Sequence, residues 1–157
     1  MKVIGIDPGL QNTGYAIIEN NDLIGYGVIK PKDKGYRRFE EISKELSEII
    51  NEHSPEICGI ESIFFMEKST GAVIKMAELR GAILGVLGKL NLRILNLPPA
   101  FIKKSITGNG RASKEQVKYM VAKLFKLDEK KLKKDEADAI AIAYCTYYSF
   151  NRKISNI

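Results

Sequence analysis

The order in which two hydrophobic periodicities alternate constrains this chain more than any other feature. Val3 to Asp7 is a short apolar run that stops at the turn residues Pro8 and Gly9. Gly14 to Ile18 is a second run, and Asp22 to Ile29, after an Asn20 and Asn21 turn signal, is a third. Together they predict an antiparallel meander. The spacing then changes: Phe39, Ile42, Leu46, Ile49 and Ile50 recur as on one face of a helix, from about Gly35 to Glu52, and Pro55 ends it. Ile57 to Glu61 reads as a buried strand whose last residue is charged. Leu92 to Leu97 reads as a fifth strand, with Pro98 and Pro99 opening a short helix. Thr107 to Arg111 is a loop, Ser113 to Gln116 fits a capping box opening a helix to about Phe125, and a last helix covers about Asp135 to Phe150. This order predicts an α/β fold in which helices flank a mixed five-stranded sheet.

The segment from Ser69 to Leu90 is helical in pattern, yet its apolar residues cover more than one stripe, which predicts burial on two faces. Either one face covers the sheet while the other meets a second subunit, or this is a central core helix.

Length and composition remove several classes of function. The 157 residues are 45% apolar and contain no linker-like stretch and no repeat, so one domain over 1–157 is expected, its last few residues being the place for disorder. The longest apolar run, within Gly81 to Leu92, is broken by Lys89 and is too short to span a bilayer. Asp7 falls where a signal peptide needs its apolar centre, so a cytoplasmic location is expected. Cys58 and Cys145 are too few for a thiolate zinc site or a disulfide scaffold and read as packing residues. His53 is the only histidine and falls at a helix end, which all but removes Ser-His-Asp and Cys-His catalysis. The net charge of +6 is uneven: Phe101 to Lys134 holds eleven Lys and Arg against three Asp and Glu. Such a block suits a polyanion partner, because neutralising phosphates releases condensed counterions.

Asp7, Glu61 and Asp138 stand where solvent exposure does not account for them, whereas a solvated first helix turn accounts for Asp135 and Glu136. Asp7 and Glu61 end apolar strands. Asp135 and Asp138, three residues apart, project about 60° from one another on the last helix, and Asp138 shares its face with Ile142 and Cys145. Glu136 points about 100° from Asp135 and is the weaker ligand candidate. If strand ends and helix converge, four like charges share one cleft and raise one another's pKa. Divalent metal relieves that conflict: two Mg²⁺ ions about 3.5 to 4 Å apart stabilise both the attacking and the leaving oxygen of phosphodiester cleavage. The acids and the basic block together point to hydrolysis of nucleic acid.

Four segments carry a family resemblance: Gly5 to Ala16, Ile60 to Phe65, Gly108 to Val117 and Asp135 to Ala143. In order and over nearly the whole chain, they resemble the bacterial RuvC-type crossover junction endodeoxyribonucleases. The resemblance implies a ribonuclease-H-like fold and a homodimer that resolves Holliday junctions in recombination and repair by symmetric cleavage with Mg²⁺ or Mn²⁺, two ions per site. It assigns Asp7, Glu61, Asp135 and Asp138 as the metal-binding, catalytic acids. It places Phe64 where the family stacks an aromatic ring on bases, with Phe65 as the alternative, since one residue is gained between Phe65 and Arg80. Lys103, Lys104, Arg111, Lys114 and Lys118 are the candidate phosphate contacts. The helix from Ser69 fits the family's dimer-forming helix, and the branch-migration proteins RuvA and RuvB are the implied partners.

Three other readings remain open at this level. A related nuclease of the same fold would cut RNA:DNA hybrids or ribosomal RNA precursors. An ATP-binding protein of the actin and sugar-kinase type shares the Asp7 to Gly14 spacing but needs a second domain. A non-catalytic scaffold would bind the junction without cutting it.

Overall fold

The computed structural model describes residues 1–63 and 70–154, with side chains up to residue 151. The expectations for Phe64, Phe65 and the last residues, 155–157, fall outside the described residues. The meander forms β1 (Lys2–Asp7), β2 (Thr13–Glu19) and β3 (Asp22–Ile29), followed by α1 (Arg37–His53) and β4 (Ile57–Glu61). Next come α2 (Thr70–Lys89), β5 (Arg93–Leu97), α3 (Pro99–Thr107), α4 (Lys114–Phe125) and α5 (Lys134–Ile154). The five strands form one sheet in the order β3-β2-β1-β4-β5. β1 pairs antiparallel with β2 and parallel with β4, so it lies at the centre and both its ladders are filled.

Because side chains alternate along a strand, β1 divides its residues between two cores. Ile4 and Ile6 point into one core with Ile17, Ile29, Cys58 and Ile60, closed by α1 and α2. Val3 and Ile57 point into the other, closed by α3, α4 and α5. Both cysteines are free and buried, as packing residues should be. α5 lies close on the sheet because glycines let it. A Cβ on Gly5 would stand 2.3 Å from the backbone nitrogen of Ala143, and one on Gly14 would stand 2.2 Å from the carbonyl of Asp135.

The predicted capping box at α4 is present in both directions. Ser113 Oγ accepts from the Gln116 amide at 3.1 Å, and Gln116 Oε1 accepts from the Ser113 amide at 2.8 Å. α2 departs from one expectation. Leu79, Ile83 and Leu87 are buried, whereas Ile74, Ala77, Gly81 and Gly85 are exposed, so within one chain the helix is covered on a single face and is not a central core helix. No described helix is long and apolar enough to cross a membrane.

Candidate active site

Strand parity sets the site. Asp7 follows Val3 and Gly5 at two-residue steps, and Glu61 follows Ile57 and Gly59 in the same way; β1 and β4 run parallel with Ile6 opposite Ile60. Both acids therefore end adjacent strands on the face that receives α5. α5 begins at Lys134, with Asp135 and Asp138 in its first turns, and it is seated on Gly14, the register partner of Asp7. All four acids are half-buried.

Their electrostatics show the convergence. Burial, then the charges of Asp138 and Glu61, opposed by Lys114, and then the charge of Asp135 push the Asp7 carboxyl up to about 8. Asp138 is also raised, first by burial, while Lys114 beside it acts in the opposite sense. The Lys114 ammonium lies 3.2 Å from Asp138 Oδ2, and its pKa is raised chiefly by that carboxylate. Among the described residues, no three His, Cys, Asp or Glu side chains already form a metal cage. Asp138 is turned instead to Lys114, as expected for a carboxylate held among like charges.

Two cavities flank the acids. One, of about 210 Å³, is walled by Asp7, Pro8, Glu61, Met76 and Arg80. The other, of about 60 Å³, lies between Glu61 and Asp138 and is lined by Lys103 and Lys114. Lys103 and Lys114 thus stand in the acidic cleft itself. Lys104, Arg111 and Lys118 line neither cavity; Lys104 and Arg111 are exposed and Lys118 is half-buried. Glu136, the weaker ligand candidate, accepts from the Lys133 amide at 2.8 Å and so caps α5. His53 ends α1 beside Gly25 of β3.

Two supporting residues were not singled out from the sequence. Arg80, half-buried, donates from Nη1 to the Glu61 carbonyl at 2.6 Å and from Nη2 to Asn96 Oδ1. One guanidinium therefore fixes the end of β4 to β5, and with it the Glu61 backbone. Thr13 is fully buried, donates to the Gly9 carbonyl at 2.9 Å and accepts from the Gly9 amide at 3.3 Å, closing the turn after Asp7. A threonine four residues beyond Gly9, at the head of the apolar second strand, was the signal available for the second; nothing local marked the first.

The arrangement can gather cations beside a phosphate. The family model "Crossover junction endodeoxyribonuclease RuvC" matches residues 3–146. The relative of that name from Ehrlichia canis is 40% identical, over 96% of this chain and 99% of its own. The Thermus thermophilus RuvC structure superposes with a TM-score of 0.82 at 27% identity, covering 99% of this chain and 97% of that one. The same protein in complex with a Holliday junction substrate gives 0.84 at 26% identity, covering 99% and 96%. The sheet order and flanking helices are thus those of the ribonuclease-H-like resolvase fold, and with sequence likeness along nearly its full length the chain belongs to the RuvC family of crossover junction endodeoxyribonucleases.

Proposed function

We propose that this protein resolves Holliday junctions: as a homodimer it hydrolyses one phosphodiester in each of two strands of a four-way DNA junction. The observation that carries the reading is the field at Asp7, where three further carboxylates reach one strand end within a RuvC-family fold. An oxygen-only donor set of four carboxylates, only partly offset by Lys114, fits hard divalent ions such as Mg²⁺ or Mn²⁺. Asp7, Glu61, Asp135 and Asp138 would hold two of them. When bound, such ions supply Lewis acidity at the phosphoryl oxygens.

The chain's own groups do the rest in this reading. Lys103 and Lys114 bring positive charge to the cleft and draw the scissile phosphate in. Arg80 holds the Glu61 backbone, and the glycine seat holds α5 against β1. Phe64 stacks on bases at the opened crossover, while Lys104, Arg111 and Lys118 touch backbone phosphates beyond the cleft. The whole chain works as one nuclease domain in the cytoplasm, alongside RuvA and RuvB. The exposed stripe of Ile74, Ala77, Gly81 and Gly85 on α2 supports the dimer, since small residues let a second helix approach closely.

The test presents purified protein with a labelled four-way junction, a linear duplex and an RNA:DNA hybrid, with Mg²⁺, Mn²⁺ or chelator. Cleavage of the junction alone, abolished by chelator, is the expected result. Cleavage of the hybrid with the junction intact would move the protein to the ribonuclease branch, and junction binding without any nicking would make it a scaffold.

A further inference from the structure

A second basic surface lies outside the 101–134 block. Between positions 30 and 38 the chain carries Lys30, Lys32, Lys34, Arg37 and Arg38 against the single acid Asp33. The loop is fixed by its own acids: Glu41 accepts from the amides of Lys32 at 2.6 Å and Asp33 at 3.2 Å, and Asp33 accepts from the Gly35 amide at 2.6 Å. Those carboxylates are committed to backbone amides. Among the described residues, none of the five cations forms an ion pair, whereas Lys114, Lys133 and Lys134 of the larger block each do.

The loop borders a groove of about 230 Å³ formed with Leu10, Tyr36, Phe39, Lys75 and Glu78. This groove and the acidic cleft have no lining residue in common, but both draw on α2 and on the segment that follows β1. Leu10 lies three residues beyond Asp7, and Lys75 is next to Met76, which lines the cleft. Cations therefore flank the acids on the α1/α2 side as well as on the α3/α4 side. Tyr36 is 79% exposed at the start of α1, an unusual place for a large aromatic ring. Its ring is tilted by 54° against that of Phe39, with centroids 6.1 Å apart, and stays open to solvent. An exposed tyrosine hydroxyl among cations suits contact with phosphate and sugar.

We propose that the groove between the 30–38 loop and α2 is a second DNA-contacting surface. It grips the phosphate backbone of a duplex arm of the junction through Lys34, Arg38 and Lys75, with Tyr36 against the backbone. The inference rests on the junction-resolving reading. It names where the arm on the α1/α2 side of the scissile phosphate is held.

The test is equilibrium binding of a labelled four-way junction in chelator over a range of salt, for the wild type and for the K34A/K75A double variant, with E78Q as the opposite perturbation. All three positions are exposed. Losing two phosphate contacts should lower the log–log salt slope by about 2 and weaken binding on the order of 50-fold near 0.1 M salt. Removing the groove's acid in E78Q should tighten binding, a gain that a misfolded variant would not give. Wild-type binding with an unchanged slope in K34A/K75A and no gain in E78Q would overturn this surface while leaving the junction reading intact. A wild type that fails to prefer the junction over linear duplex would overturn the junction reading itself.

Discussion

Replacing Gly5 with alanine tests how the site is assembled. The added Cβ would lie 2.3 Å from the Ala143 amide nitrogen, 2.5 Å from the Ala139 carbonyl oxygen and 2.8 Å from the Ala143 Cα. All three are backbone atoms of α5, so no side chain can swing aside. Restoring ordinary contact, which begins near 3.4 Å, needs roughly 1 Å of withdrawal by the helix. Overpacking of this kind costs about 1 to 3 kcal/mol, or about 3 to 9 °C in Tm for a chain of this size. Asp138 immediately precedes Ala139, so the same displacement carries it away from Asp7. A misplacement of about 1 Å lowers a positioned reaction about 100-fold. Junction binding should change little, because the cations that reach for phosphate lie on other elements. Calorimetry, single-turnover nicking and binding in chelator read the three effects separately. A G5A protein that melts within about 1 °C of the wild type and cuts at the same rate would refute the seating of α5 on β1.

Other consequences follow from named contacts. With its carboxyl pushed up to about 8 in the fold, Asp7 resists ionisation there while ionising freely when unfolded. The metal-free protein should therefore lose stability as pH rises from about 4 to 8. D7N should remove a loss of about 2 to 4 kcal/mol, measured by urea unfolding in chelator, and cut nothing; a variant no more stable than wild type at pH 8 would contradict the field described at Asp7. Arg80→Lys cannot serve the Glu61 carbonyl and Asn96 together, so the cleavage rate should fall about tenfold with binding retained; an unchanged rate would remove Arg80 as a positioning residue. A Cβ on Gly85 meets nothing within 4 Å in the single chain. G85R should accordingly give folded monomers by sedimentation, and persistent dimers would place the subunit contact elsewhere.

Much of this was legible in the sequence where local rules act. β3 spans Asp22–Ile29 as its flanking turn residues indicated, and the Ser113 box opens α4 because both partners lie within one turn. Asp7 and Glu61 were conspicuous because a charge closing an apolar strand has no core rationale. What escaped depended on long separations. Lys114 meets Asp138 across 24 residues, so a lysine read only as a phosphate contact proves to stand within the acid cluster. Arg80 reaches the carbonyl of Glu61 across 19 residues and was a landmark without a role. The exposed face of α2 could not be told from a core face, since apolar and small residues surround the helix. The cations between 30 and 38 were diluted by the acids of α1 when charge was summed over the rest of the chain.

The most direct test of the central claim, one metal-dependent site built by four acids, is nucleotide-resolution mapping of cuts in all four strands of a synthetic junction. The wild type and the single variants D7N, E61Q, D135N and D138N are compared with Mg²⁺ and with chelator. The account predicts paired nicks at symmetric positions in two strands for the wild type with Mg²⁺, and junction binding without nicks for every variant. Full cleavage by any one of the four variants, or wild-type nicking that persists in chelator, would contradict it.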